Sequence, residues 1–103
     1  MRNLSKKQAM ERKDPLVRKY ASDLGTNLRQ IRKVQGLTQK RLGLMIGSEH
    51  SRISNIECGY IAVSIPDLVK LSRALDVDPC QLADLSPLKL ADYPEHSEGH
   101  ARL

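Results

Sequence analysis

Along most of the chain apolar residues recur at three- and four-residue steps, the spacing of one helical face rather than the alternation of a half-buried strand. Leu16, Tyr20, Leu24, Leu28 and Ile31 form the first stripe. Asp14-Pro15 opens it, because a carboxylate accepts from the free N–H groups of a first turn and proline there lacks only a donor without a partner. Gly25-Thr26 leaves open whether the stripe is one helix or two abutting ones, and Gln35-Gly36 ends it. Thr38 then caps a short second helix with Leu42, Met45 and Ile46 inward and Gly47 as its stop. Ser48 caps a third, predicted over about 48–57, in which Ile53 and Ile56 face the core before Cys58-Gly59 closes it. Ser64 and Asp67 have capping-box spacing ahead of the Leu68, Leu71 and Leu75 stripe. Asp78-Pro79 begins a fifth, short helix that buries Leu82 and Leu85. Residues 1–13 are polar and basic without an apolar period and predict a mobile arm. Beyond Ser86-Pro87 the pattern dissolves into a tail.

Composition narrows the class. A chain of 103 residues has room for one domain and one core. With no Trp or Phe and only three Tyr, that core is built from Leu, Ile, Val, Met and Ala, which suits short packed helices and an all-α fold. The net charge of +5 is unevenly placed. Residues 1–41 carry twelve Lys or Arg against Glu11, Asp14 and Asp23, a net +9, whereas the remainder carries five against nine, a net −4. A localised basic surface of this kind suits a polyanion. Cys58 and Cys80 form no Cys-x-x-Cys motif, and the polar N-terminus does not read as a secretory signal, so reduced thiols and a cytoplasmic location are expected. No run approaches the roughly 18 apolar residues of a membrane span. His96 and His100 have zinc-like spacing without accompanying cysteines, so neither a metal nor a cofactor is expected. The Gly-x-Ser-x-Gly, phosphate-loop and His-Glu-x-x-His signatures of enzymes are absent.

The most informative stretch is residues 39–56, where two short helices meet at a turn centred on Gly47. Small Gly43 sits where they would cross, and Leu42, Ile46, Ile53 and Ile56 form the pinned interior. That arrangement lets the second helix stand out and enter a major groove while the first crosses the backbone. Its exposed positions are then His50, Ser51, Arg52, Ser54 and Asn55, all able to hydrogen-bond base edges or phosphates. Glu49 is tolerated as a carboxylate at a helix N-terminus.

Here the sequence resembles the lambda-repressor/Cro-like, or XRE-type, helix-turn-helix proteins. The resemblance runs through Leu28-Arg29-Gln30-Ile31-Arg32, Gly36-Leu37-Thr38-Gln39, Ser54-Asn55-Ile56-Glu57-Cys58-Gly59 and Leu71-Ser72-Arg73-Ala74-Leu75-Asp76-Val77, and covers about residues 22–85. It implies a five-helix domain that binds double-stranded DNA, as a homodimer on a near-palindromic operator, between an N-terminal extension over 1–21 and a C-terminal tail over 86–103. It implies a phosphate contact at Gln39, with Thr38 beside it, base-edge positions at His50, Ser51 and Ser54, and a backbone-following segment from Asn55 to Tyr60. Arg32 and Glu57 match a structural ion pair. The family commonly has Ala at the place of Gly43 and a polar or basic residue at that of Cys58. The function implied is transcriptional regulation, most simply repression. Alternatives on the same fold are the antitoxin of a toxin-antitoxin pair, which could cover a protein partner with its termini, and an adapter or coactivator.

Overall fold

A computed structural model of the protein describes residues 4–92. The expected C-terminal tail, with His96 and His100, lies largely outside them. Asp14 accepts from the backbone N–H of Leu16 at 2.7 Å and Pro15 occupies the first turn of the longest helix. That helix runs Pro15–Val34 without a break at Gly25-Thr26. A shorter helix precedes it and four follow, giving α1 Lys6–Glu11, α2 Pro15–Val34, α3 Gln39–Met45, α4 His50–Glu57, α5 Ile65–Leu75 and α6 Pro79–Leu82. A single 3-10 turn, Leu90–Asp92, closes the described chain, and no strand occurs among the described residues. The all-α expectation holds, with α2 to α6 as the five expected helices.

Each of those five sends side chains into one core of Leu24, Leu28, Leu42, Ile53, Ile56, Leu71, Leu75 and Leu82. Full burial of such a side chain contributes about 1.5–3 kcal/mol, which is what holds helices as short as α3, α4 and α6 that would not persist alone. Their ends are closed as the sequence suggests: Thr38 accepts from Arg41 N–H at 3.0 Å, Ser64 accepts from Asp67 N–H at 3.3 Å, and Asp78 forms a capping box with Gln81. The turn after α3 requires a positive φ, +71°, at Gly47. Asp76 adopts the left-handed conformation, φ 56°, at the end of α5, and the Gln35 side chain donates to the Leu75 carbonyl beside it at 2.7 Å.

Four expectations are corrected. Residues 6–11 of the basic arm form α1, capped by reciprocal Ser5 and Gln8 hydrogen bonds and anchored by buried Met10. Glu49, not Ser48, is the N-cap of α4: its carbonyl accepts the first helical N–H, from Ile53 at 3.4 Å, while Ser48 belongs to the end of α3, donating its N–H to the Gly43 carbonyl at 2.7 Å. Met45 is exposed: Leu42 fills the inward place on α3, and one turn later Ile46 packs against the core. Leu85 is exposed because α6 ends at Leu82, which already fills the interior.

Candidate nucleic-acid interface

The α3–turn–α4 unit is set by two close backbone approaches. A Cβ at Gly43 would lie 3.0 Å from the Glu49 carbonyl carbon and 3.1 Å from the Ser48 oxygen, so α3 presses directly on the segment leading into α4. At the other end of α4, a Cβ at Gly25 would fall 2.3 Å from the Ile56 oxygen and 2.7 Å from the Glu57 oxygen. Glycine at both places lets α4 lie between α2 and α3, with Ile53 and Ile56 wholly buried beneath it.

Polar contacts then fix the C-terminal turn of α4. Arg32 of α2 donates from Nε to Glu57 Oε2 at 2.6 Å and from Nη2 to Glu57 Oε1 at 3.0 Å, and its Nη1 donates to the Leu37 carbonyl at 2.6 Å. Both side chains are nearly buried, 9% and 3% exposed, so the fork is shielded from water. The hydrogen bond from Glu57 holds the guanidinium above its already high ordinary pKa, against the opposing effect of burial. Arg32 therefore stays charged throughout the range in which the fold can be studied. Gln39 joins this network, donating from Nε2 to Glu57 Oε1 at 3.1 Å. The family-derived pair is thus present and ties α2, the α2–α3 turn and α3 to α4.

The expected DNA-contacting residues fall into three situations. His50 and Ser51 are exposed in the first turn of α4, with the Ser51 hydroxyl 3.4 Å from Glu49 Oε2. Thr38 is exposed at the start of α3, where it caps the helix, next to exposed Lys40 and Arg41. Ser54, Asn55 and Tyr60 are half-buried, and the Tyr60 N–H donates to the Asn55 carbonyl at 2.9 Å, folding the chain back over the end of α4. Gln39 is half-buried through its bond to Glu57, and Arg52 is paired with Asp67 of α5. Sequence reasoning missed that last partner, and also the exposed Lys40 and Arg41, whose only signal was their place one turn from Thr38. Cys58 and Cys80 are both exposed free thiols. No described helix is long and apolar enough to cross a membrane.

Residues 28–82 match the family described as helix-turn-helix. Curated protein sequences yield no significant match. Among solved structures, the high-resolution crystal structure of the restriction-modification controller protein C.AhdI from Aeromonas hydrophila is similar, with a TM-score of 0.58 and 34% identity over 60% of this chain and 94% of that one. The matched span begins with the second half of α2 and ends with α6, so it contains the Arg32–Glu57 fork and both helices that meet at Gly47. The chain therefore belongs to the XRE-type, lambda-repressor/Cro-like helix-turn-helix family of sequence-specific DNA-binding transcriptional regulators.

Proposed function

We propose that the protein is a transcriptional repressor that reads a near-palindromic operator with the first turn of α4 in the major groove, and that it acts as a homodimer. The observation that carries the reading is the contrast between the two sides of α4. Ile53 and Ile56 are fully buried and the helix end is fixed by Glu57, whereas His50 and Ser51 stand exposed at its tip. A rigid helix with free hydrogen-bonding side chains at its N-terminal end suits base-edge contact. Ser54 extends that face by one turn. On this reading Thr38 and Gln39 start the helix that crosses the DNA backbone, and they contact phosphates together with Lys40, Arg41 and the segment from Asn55 to Tyr60. The likeness to a restriction-modification controller protein supports a regulatory role.

Dimerisation is supported by an apolar groove of about 460 Å³. Its lining includes Val17 and Tyr20 from α2, Ile65 and Leu68 from α5, and Leu85 and Leu88 beyond α6. A second copy of the chain covering Ile65 and Leu85, which are 71% and 53% exposed, would remove this surface from water. Two copies of α4 would then address half-sites about one helical turn, roughly 34 Å, apart.

The test is a pair of titrations at fixed salt, on an operator selected from a random duplex pool and on a scrambled duplex. His50→Ala and Ser51→Ala should each lower operator affinity by about 1–3 kcal/mol and leave scrambled binding nearly intact. Gln39→Ala should weaken both more evenly. If His50→Ala and Ser51→Ala both keep the wild-type ratio of affinities, α4 does not read bases through these residues.

A further inference from the structure

Arg52 is the one basic residue of α4, and it lies in the same first turn as His50 and Ser51. Its guanidinium does not project freely beside them. Nη2 donates to Oδ2 of Asp67, in the first turn of α5, and the two side chains are 39% and 17% exposed. The Asp67 backbone N–H is itself held by Ser64 Oγ at 3.3 Å, so this carboxylate sits on a closed helix end. Charge along α4 is then accounted for: Glu57 is neutralised by Arg32, Arg52 by Asp67, and only Glu49 at the tip is left. The helix that carries His50 and Ser51 thus offers a phosphate no unpaired cation. The eleven basic residues of 4–41 all precede α4 in the chain.

We propose that Asp67 is a specificity-determining residue that withholds Arg52 from DNA phosphates. Charge-driven attraction to any duplex is left to residues ahead of α4, and α4 adds no unpaired cation to it. Arg52 takes no part in nonspecific binding while Asp67 holds it. This rests on the reading that α4 faces DNA and adds to it a reason for an acidic side chain on the neighbouring helix. Opposing charges in contact satisfy one another, so a paired guanidinium displaces few counterions from a duplex, whereas a released one displaces about one more.

The experiment is a double-mutant cycle of Asp67→Asn and Arg52→Gln in the full chain, read as affinity and as log–log salt slope on a scrambled duplex and on the selected operator. Asp67→Asn should raise scrambled affinity about three- to tenfold near 0.1 M salt and steepen the slope by about 0.9, narrowing the operator-to-scrambled ratio. The charge-balanced Arg52→Gln/Asp67→Asn double variant should keep the wild-type scrambled affinity and slope, whereas Arg52→Gln alone leaves the Asp67 carboxylate unpaired and should bind scrambled duplex no more tightly than the wild type. A double variant that binds scrambled duplex as tightly as Asp67→Asn does would assign the gain to loss of the Asp67 charge itself and overturn the proposal. So would a shallower slope for the double variant than for the wild type, since Arg52 would then already touch phosphates; this arm leaves neither charge unpaired and is informative even if Asp67→Asn alone folds poorly. Equal weakening on both duplexes with a lowered melting temperature would overturn it too, and would show a structural tether only. Failure of the α4 reading is recognised separately, by His50→Ala and Ser51→Ala keeping the wild-type affinity ratio.

Discussion

Replacing Gly25 by alanine adds one methyl group where α2 meets the last turn of α4. The new carbon would lie 2.3 Å from the Ile56 oxygen, 2.7 Å from the Glu57 oxygen and 2.9 Å from the Glu57 carbonyl carbon. Ordinary contact needs about 3.5 Å, so the two helices would have to part by about 1 Å. All three atoms are backbone, and no flexible side chain can swing away. Overpacking of this kind costs about 1–3 kcal/mol and occasionally more, and the unyielding partner places Gly25→Ala at the upper end. Alanine recovers about 1 kcal/mol through its helix propensity, which leaves a net destabilisation of about 2 kcal/mol. For a domain of this size that is a fall in Tm of about 8–16 °C, measurable by circular dichroism. Gly43→Ala is the internal control. Its Cβ would lie 3.0–3.1 Å from atoms of Ser48 and Glu49, in the short segment between helices that can yield by a few tenths of an ångström. The propensity gain should roughly offset the crowding and keep Gly43→Ala within about 1 kcal/mol of the wild type, as the common alanine at this place in the family also suggests. A Gly25→Ala protein melting within about 2 °C of the wild type would refute the reasoning, because the α2–α4 approach would then not be limited by backbone contact.

Breaking the Arg32–Glu57 fork from one side, with Arg32→Met or Glu57→Gln, should cost about 3–5 kcal/mol because a charge is left nearly buried. A double-mutant cycle by denaturant unfolding should show strong coupling, and coupling near zero would reject the pair as an energetic unit. Changing exposed Lys6, Lys7, Arg12 and Lys13 to Gln should weaken operator and scrambled binding alike and make the salt slope shallower by about 0.9 for each phosphate that is no longer neutralised. Neutralisation is preferable to deleting residues 1–13, since deletion would also remove buried Met10; a strong dependence on A·T content would point to minor-groove reading instead. Ile65→Glu or Leu85→Glu should yield a monomer in sedimentation at tens of micromolar with the melting transition of a folded domain, and an unchanged mass would place any dimer contact elsewhere.

Helix existence and the ends at Asp14, Thr38, Ser64 and Asp78 were legible in the sequence because they depend on local chemistry: periodic apolar positions, and a side-chain oxygen within three residues of the N–H groups it satisfies. The Arg32–Glu57 fork was legible only through the family resemblance, being 25 residues apart in the chain. The Ser5 and Gln8 capping box was also written in the sequence, yet a six-residue helix does not hold by itself, and α1 owes its place to the burial of Met10, which no local pattern announces. Ser48 resembled a cap as closely as Thr38 did. Ser48 instead completes the local closure of α3 after Gly47, its N–H reaching back to the Gly43 carbonyl, and the first helical carbonyl of α4 is that of Glu49. Met45 and Leu85 were apolar at plausible spacing, but Leu42, Ile46 and Leu82 had already filled the volume they would have entered. The orientation of Arg52 was beyond sequence reasoning for the same reason as the clash at Gly25. Both are set by how two helices cross, and the crossing is decided by backbone atoms meeting at glycines and by a core that closes in one way, neither of which is a property of residues near one another in the chain.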